Sequence, residues 1–340
     1  MKIEINILIV SAIIGILTLS GCVNLNEEKL TGSINNSDSE KEKLKNTIAN
    51  ISENNGSEIK VTYPLTLTDN LKRTVTINSE PQRIISLSPA NTEILFALGL
   101  ENKIVGVTNY CNYPEGAAGK PVVSEFGTVN LELVVNSSPD IVLMASGVQQ
   151  KASLQLDNFG ITLTAFDADT VSGVLENIEL IGILTNRKKE AENLTGDMQR
   201  RIDSVKETAG DMKSKPGVFY IIWNDPLWTI GPDAFIEDAI EIAGGKNIFS
   251  YDLPKGAPTD YFITNKESVI TRNPDIIIID SHGIKETSID DWLKKNGQWR
   301  DINAVKNKNI YFIDADIASR PGPRVVDALE KYSGWFENWE

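Results

Sequence analysis

Aromatic side chains are concentrated in segments that follow predicted strands. Two tyrosines come after the apolar run Ile104–Thr108, and Trp223 and Trp228 flank Asn-Asp-Pro-Leu after another such run. Flat aromatic faces suit a large ring-containing ligand, because they bury much apolar area in a defined geometry. Core packing is the alternative for any single ring, but the set predicts a pocket. Its expected lining is Tyr110, Tyr113, Phe126, Trp223, Trp228 and Tyr261.

Two arginines, Arg320 and Arg324, bracket Pro-Gly-Pro after the last predicted strand. A guanidinium presents a fork of donors that matches carboxylate or phosphate. We expect both arginines near the ligand, and Arg324 is the stronger candidate for contact. Pairing with Asp314, Asp316 or Asp327 across the loop is the alternative.

Two glutamates occupy equivalent places in an internal repeat. Residues 130–143 match residues 265–278 with six identities, which aligns Glu132 with Glu267. Each copy predicts a short helix, a Pro-Asp stop and an apolar strand. A glutamate early in a helix is stabilised by the helix dipole, and two matched carboxylates on one rim are also able to dock onto arginines of a partner.

Composition excludes several classes of protein. A formal charge of −14 argues against nucleic-acid binding, which needs clustered cations. His282 is the single histidine, so a histidine-rich metal site is not expected, and we interpret it as a solvated loop residue. Cys111 has no second cysteine in the mature domain to pair with and is expected to serve packing.

The N-terminal region reads as a targeting segment and a linker. Ile5–Leu19 is apolar but short for a membrane span, and Leu-Ser-Gly-Cys22 resembles a lipoprotein signal with Cys22 as the acylated residue. An uncleaved signal anchor is the alternative. Residues 23–60 are polar and predict a flexible tether, which leaves residues 1–22 as the signal peptide.

The stretch Arg83–Leu100 organises the remaining chain. Ile84–Leu87 predicts a buried strand, and a helix follows in which Ser88 caps, Glu93 suits the dipole and Gly99 ends the apolar face. Strands and helices then alternate, which predicts a parallel sheet.

Local patterns predict further elements. Val61–Leu67 and Thr74–Ile77 predict a hairpin that leads into the organising strand. A polar break at Thr185-Asn186-Arg187 interrupts the long helical pattern of the chain. Val218–Trp223 predicts the strand that opens the second lobe, and Tyr261 lies in a proline-rich loop.

The fold class is therefore α/β. We predict two Rossmann-like lobes, each with a parallel sheet, joined by a long connecting helix and separated by a ligand cleft. The expected boundaries are an N-terminal lobe at 61–187, the connecting helix at 188–213 and a C-terminal lobe at 214–340.

The stretch Arg83–Leu100, together with Val105–Pro114, resembles the class III solute-binding proteins that feed ABC importers of cobalamin and ferric siderophores. The likeness extends over about residues 60–335. It implies a non-enzymatic, lipid-anchored, monomeric receptor on the extracytoplasmic face of the membrane. Such a receptor needs no cofactor, holds a metal chelate intact, and passes it to permease subunits that Glu132 and Glu267 clamp.

The resemblance also bears on individual pocket residues. It places Phe126, Trp228 and Tyr261 at positions that line the pocket of cobalamin binders. The chain departs from those binders at Ala145-Ser-Gly, where they can carry a tryptophan, and this weakens a cobalamin assignment relative to a siderophore.

Two other function classes are weighed against a chelate receptor. A secreted hydrolase or chelatase would use carboxylates with His282, but the chain lacks a Gly-x-Ser-x-Gly elbow. A receptor for free metal ions would need clustered histidine and carboxylate ligands, which one histidine does not favour.

Overall fold

The computed structural model describes four stretches of the chain, residues 61–125, 128–145, 155–281 and 289–339. The predicted signal peptide and tether, including Cys22, lie outside the described residues. Phe126 and His282 lie outside them as well, as do the last two residues of the Ala145-Ser-Gly segment.

A six-stranded sheet forms the first lobe. Its strands, and those of a preceding hairpin, are β1 (Leu65–Thr68), β2 (Thr74–Ile77), β3 (Ile84–Ser86), β4 (Ile104–Thr108), β5 (Val122–Glu125), β6 (Thr128–Val129), β7 (Ile141–Met144) and β8 (Leu163–Ala165). The strand order is β6-β5-β4-β3-β7-β8, and every pairing is parallel except that of β5 with β6. β1 and β2 pair as the predicted antiparallel hairpin. The predicted parallel sheet is confirmed.

Four helices whose bounds lie within the described residues accompany this sheet and lead out of it. They are α1 (Pro89–Ala97), α2 (Leu131–Asn136), α3 (Val171–Leu184) and α4 (Lys188–Asp211). The predicted polar break at Thr185-Asn186-Arg187 separates α3 from α4. α4 is the predicted connecting helix.

The second lobe has a smaller parallel sheet. The strands of the second lobe are β9 (Gly217–Ile221), β10 (Trp223–Asn224), β11 (Leu227–Ile230), β12 (Lys246–Asn247), β13 (Tyr261–Ile263), β14 (Ile276–Asp280) and β15 (Ile310–Ile313). The order β12-β9-β14-β15 is parallel throughout, and β10-β11-β13 form a separate antiparallel sheet. All five residues of β14 are buried, as expected for a central strand covered on both faces.

Six helices complete the second lobe. They are α5 (Phe235–Ile242), α6 (Lys266–Arg272), α7 (Ile289–Lys295), α8 (Asn303–Lys306), α9 (Ala315–Ala318) and α10 (Val325–Glu337). Across the described part of the chain, no helix combines the length and the apolar character needed to cross a membrane.

The connecting helix joins the hydrophobic cores of the two lobes. Its buried residues recur every three or four positions, which places them on one face: Ala191, Thr195, Met198, Ile202 and Val205. The apolar members of this face belong to one cluster with Ile94 of the first lobe and Ile240 and Leu329 of the second. The lobes therefore share a core that passes through α4.

The start of α1 differs from the expected cap. Ser88 occupies the N-cap position, but its side chain makes no capping hydrogen bond. Its carbonyl instead accepts hydrogen bonds from the hydroxyls of Ser86 (2.9 Å) and Thr92 (3.0 Å). Pro89 lies in the first turn and Gly99, at φ +69°, follows the helix end, as the sequence predicts.

The internal repeat is a structural repeat. Asn130 and Asn265 are the N-caps of α2 and α6, and each side chain accepts a hydrogen bond from the amide three residues later, at 3.1 and 2.8 Å. Glu132 and Glu267 lie in the first turns of these helices. The same cap therefore starts both copies and leaves the two glutamates in the same helical position.

The aspartate of each Pro-Asp stop accepts hydrogen bonds from backbone amides at the start of a neighbouring strand. Asp140 accepts hydrogen bonds from the amides of Gln82 (2.7 Å) and Arg83 (2.8 Å), just before β3. Asp275 accepts one from the amide of Gly217 (2.9 Å), at the start of β9. The repeat thus encodes both the helix start and the attachment of the following strand.

Removal of a repeated cap should weaken the fold measurably. Asn265→Ala leaves an amide at the start of α6 without its acceptor, so we expect a loss of about 1 kcal/mol in the free energy of unfolding. Urea unfolding followed by circular dichroism would measure it. Asn265→Asp keeps an acceptor at the same place and should retain most of the stability. An equal loss in both variants would contradict the capping role.

Candidate ligand-binding cleft

Loops from the two lobes touch beyond the carboxyl ends of β4 and β15. Tyr110 and Tyr113, both exposed, lie in the loop after β4. Between them, the side-chain amide of Asn112 donates to Asp316 of α9 (2.7 Å) and its oxygen accepts from Arg320 (2.8 Å). Parallel sheets place ligands at such strand ends, so these contacts mark one side of a cleft between the lobes.

Both predicted arginines converge on a single carboxylate of α1. Arg324 donates to the two oxygens of Glu93 at 2.8 and 2.7 Å, and Arg320 donates to one of them at 3.3 Å. Arg320 also pairs with Asp316 at 2.5 Å. We call Glu93, Asp316, Arg320 and Arg324 the arginine cluster. It joins the first lobe to the second through charge-assisted hydrogen bonds.

The sequence predicts that the dipole of α1 stabilises Glu93, but the structure pairs this carboxylate with arginines instead. The first turn of α1 holds no acidic residue, so Glu93 does not sit where the helix dipole would stabilise it most. Its side chain is 2% exposed and is held by the arginines. A signal was present in the sequence, since Glu93 directly precedes the apolar run Ile94–Leu98, and a carboxylate buried beside such a run rarely lacks a partner.

The predicted carboxylate partners of the arginines are only partly correct. Asp316 does pair with Arg320. Asp327 instead pairs with Arg201 of the connecting helix at 2.6 Å, and Asp314 caps α9. Contact of either arginine with a ligand stays a prediction.

The guanidinium of Arg324 also lies over an aromatic ring. Its central carbon is 4.1 Å from the ring centroid of Tyr113. Burial lowers the pKa of Arg324, but the hydrogen bond and charge of Glu93 outweigh burial and raise this pKa above its ordinary value. Arg324 is therefore charged at every pH of interest. Its guanidinium nitrogens pair with the Glu93 carboxylate, and the ring of Tyr113 lies against the guanidinium.

Trp223 and Trp228 lie opposite each other on neighbouring strands. The sequence predicts a strand that continues through Trp223 and then a loop, but β9 ends at Ile221 and Trp223 begins a hairpin in the antiparallel sheet. Residues directly opposite each other project from the same face of a sheet. Trp223 and Trp228 are 42% and 36% exposed, and the exposed Ile263 pairs with Trp228. We call these three residues the aromatic shelf.

Tyr261 extends this exposed face. It is the first residue of β13, not part of a proline-rich loop as expected, and it lies opposite Ile230, two residues beyond Trp228. Burial raises the pKa of Tyr261 to about 12, with a further contribution from the charges of Asp260, Asp167 and Asp169. The phenol therefore stays protonated at neutral pH and is available as a hydrogen-bond donor.

The predicted site residues fall into two groups. Hydrogen bonds and the ring contact connect Tyr110, Tyr113, Arg320 and Arg324, whereas strand pairing connects Trp223, Trp228 and Tyr261. Phe126 belongs to neither group because it lies outside the described residues. Each group begins beyond the carboxyl end of a parallel strand, which is where open α/β sheets bind ligands.

Metal-ligating side chains are not grouped in the described ranges. Nowhere in residues 61–125, 128–145, 155–281 and 289–339 do three or more histidine, cysteine, aspartate or glutamate side chains come together in a way that could hold a metal ion. Cys111 is buried beneath the loop after β4, beside the hydroxyls of Thr92 and Thr108, which confirms its packing role.

Loss of the Glu93 charge should destabilise the protein strongly. Glu93→Gln leaves two mostly buried guanidiniums short of a counter-charge, so we expect a loss of about 3 kcal/mol in the free energy of unfolding. Glu330→Gln is the matched control, since it removes a more exposed partner of Arg201 and should cost less than about 1 kcal/mol. Guanidinium unfolding of the three proteins would test this, and equal losses would contradict it.

Residues 84–317 match the periplasmic binding protein family. A substrate-binding lipoprotein of an ABC transporter from Bacillus subtilis, YvrC, is 34% identical over 276 residues, which are 79% of this chain and 84% of that protein. A cobalamin-binding protein from Halobacterium salinarum is 28% identical over 284 residues, or 81% of this chain and 75% of that one.

A solved structure has the same architecture. It is a possible iron-binding periplasmic solute-binding protein from Staphylococcus epidermidis, with a TM-score of 0.65 and 32% identity. The match covers 76% of this chain and 99% of that chain. The α/β fold with parallel sheets and two lobes is therefore shared with a solute-binding protein.

Proposed function

The chain belongs to the periplasmic binding protein family, and from this premise we propose that it captures an intact metal chelate and delivers it to an ABC permease. The chelate class is a cobalamin or another corrinoid, or a ferric siderophore. Relatives named for ABC transport, cobalamin and iron support the class of ligand. The observation that carries the proposal in this chain is the aromatic shelf, an exposed apolar surface beside the expected cleft.

The shelf suits a chelate better than a bare ion. Trp223 and Trp228 offer flat apolar area, and the protonated phenol of Tyr261 offers a hydrogen bond on the same face. Such groups recognise the organic periphery of a chelate and leave its metal coordinated by its own ligands. The protein then needs no cofactor and no metal ligand of its own.

Binding, not catalysis, is the proposed activity. The family and the relatives named above are binding proteins of transport systems, and the alternative of a secreted hydrolase or chelatase finds no support among them. His282, on which that alternative depended, lies outside the described residues.

The proposed location is the extracytoplasmic face of the cell membrane. Cys22 would carry a lipid, and residues 23–60 would tether a monomeric receptor. The lipoprotein name of the Bacillus subtilis relative and the periplasmic family support this location.

Glu132 and Glu267 are the proposed contacts with the permease. Both side chains are exposed, one on each lobe, and both lie in the first turn of a helix capped by the same asparagine arrangement. Matched carboxylates in matched positions suit a partner whose two subunits each present a cation.

Chelate binding should quench tryptophan fluorescence. Titration of the purified protein with cyanocobalamin and with several ferric siderophores, corrected for the inner-filter effect, should give saturable quenching with one class. Trp228→Ala should abolish it with the fold intact, because one of the two aromatic rings of the shelf is removed, whereas Trp339→Ala, two residues beyond the end of α10, should bind normally. A folded protein that binds none of these chelates would contradict the proposal.

Charge reversal at the docking glutamates should uncouple binding from transport. Glu132→Arg and Glu267→Arg, alone and together, should leave the chelate affinity unchanged and reduce chelate-stimulated ATPase activity of the reconstituted permease. We expect a reduction of about tenfold or more in the double variant, because like charges then face each other at the contact. Asp197→Arg, on the exposed face of the connecting helix, is the control; equal losses there would contradict a specific role.

A further inference from the structure

The arginine cluster carries no net charge. Two guanidiniums and two carboxylates, each with a formal unit charge, form three ion pairs whose nitrogen–oxygen distances are 3.3, 2.5 and 2.7 Å. Asn112 and the carbonyl of Tyr110 accept further donors of Arg320, and Tyr113 covers Arg324. To bind these arginines, an anionic ligand would have to displace the buried carboxylate of Glu93.

The other side of the site is acidic. Asp225 lies in the turn between Trp223 and Trp228, where its carbonyl accepts from the indole of Trp223 (2.8 Å). Asp260 immediately precedes Tyr261, and its carbonyl accepts from the amide of Gly231. Two exposed acidic residues therefore lie at opposite ends of the antiparallel strands that carry the shelf.

Further carboxylates lie where the lobes meet. Asp167 and Asp169, in the segment after β8 of the first lobe, contribute to the high pKa of Tyr261 in the second lobe. Asp169 also lines a cavity of about 380 Å³ with Asp233, Asp238 and Glu241 of the second lobe. The described lining of that cavity includes no lysine or arginine. The overall charge of −14 has the same sign.

We infer that the cleft selects its ligand by charge, taking neutral or cationic chelates and rejecting anionic ones, and that Glu93 sets this preference because, together with Asp316, it cancels the charges of Arg320 and Arg324. This inference rests on the proposed function for its ligand class. It reverses the expectation that the arginines bind a carboxylate or phosphate of the chelate.

The physical basis is the unequal screening of buried and exposed charge. Carboxylates beside the shelf act on a ligand within about 8 Å at physiological ionic strength, and a cleft with low-dielectric walls concentrates their field. Without Glu93, the remaining Asp316, Arg320 and Arg324 would carry a net charge of +1 and would oppose that field. Replacement of Glu93 by a neutral residue therefore changes the net charge of the arginine cluster by one unit.

Collisional quenching by charged ions measures the electrostatic potential at the aromatic shelf in the absence of any chelate. Iodide, caesium and acrylamide would quench the tryptophan fluorescence of the protein, and the same series with a Trp223→Phe/Trp228→Phe variant isolates the shelf. Each ion's quenching constant is divided by its value for free N-acetyltryptophanamide, and neutral acrylamide measures accessibility. On this normalised scale we expect caesium to quench the shelf at least about twice as efficiently as iodide at low ionic strength, and the two to converge near 1 M salt, where the Debye length is about 3 Å. Equal or stronger quenching by iodide at low ionic strength would overturn the inference.

Variants then test the assignment to Glu93. Glu93→Gln should raise iodide quenching of the shelf about twofold or more, whereas Glu207→Gln, which removes an exposed carboxylate of the connecting helix, should leave it unchanged. Asp316→Asn removes the more exposed carboxylate of the cluster and provides the same test if Glu93→Gln does not fold. Equal effects of Glu207→Gln and the cluster variants would overturn the role of Glu93.

Matched chelates connect the charge preference to binding. One pair is neutral cyanocobalamin and its monocarboxylate, in which one side-chain amide is hydrolysed; another is a ferric trihydroxamate with a free ammonium group and its N-succinyl derivative. The anionic member of whichever pair binds should be about five- to tenfold weaker at low salt, and the gap should close in Glu93→Gln. An anionic member that binds as tightly would overturn the inference. Absence of binding by both pairs would instead contradict the proposed function, and the quenching series would still decide the charge preference.

Discussion

The interlobe side of the cleft depends on the carboxylate of Glu93. This carboxylate joins α1 of the first lobe to Arg320 and Arg324 of the second lobe. It is buried together with most of both guanidiniums. A buried ion pair contributes less to stability than its Coulomb energy suggests, because both partners lose hydration, but it tolerates no loss of a partner. The relative placement of α1, the loop after β4 and the loop after β15 follows from satisfying this one group. Asn112 and Tyr113 contact the same two guanidiniums: the side-chain oxygen of Asn112 accepts from Arg320, and the ring of Tyr113 lies against Arg324.

The connecting helix supplies the second restraint between the lobes. Its buried face belongs to the same hydrophobic cluster as residues of both lobes, so the core does not stop at the lobe boundary. On its outer side Arg201 holds Asp327 and Glu330 of α10. These hydrogen bonds and the charge of Glu330 raise the pKa of Arg201, and those from Arg201 lower the pKa of Glu330. The contribution of the Glu330 pair is therefore present at neutral pH and is lost as pH falls through the folded-state pKa of Glu330.

Local sequence patterns were sufficient for the architecture and insufficient for the site. Apolar runs, proline and glycine positions and the repeat at residues 130 and 265 are short-range signals, so the strands, the connecting helix and the two-lobe fold followed from them. The Glu93–Arg324 pair joins residues 231 positions apart, and no periodicity reports such a partner. Trp223 and Tyr261 were misplaced for a related reason. A short apolar run does not reveal which sheet a strand will join, because that is decided by the neighbouring strand and not by the run itself.

The shared core has a consequence for the evolution of this architecture. The repeat at residues 130 and 265 suggests descent from a duplicated half, yet each present half would expose one side of the cluster around α4 if it stood alone. Recombination between relatives is thereby constrained, because a chimaera that exchanges one lobe must also preserve the packing of the foreign lobe against Met198, Ile202 and Val205. Lobes of such receptors should consequently be inherited as pairs, and new ligand preferences should arise by substitution in the loops more readily than by exchange of halves.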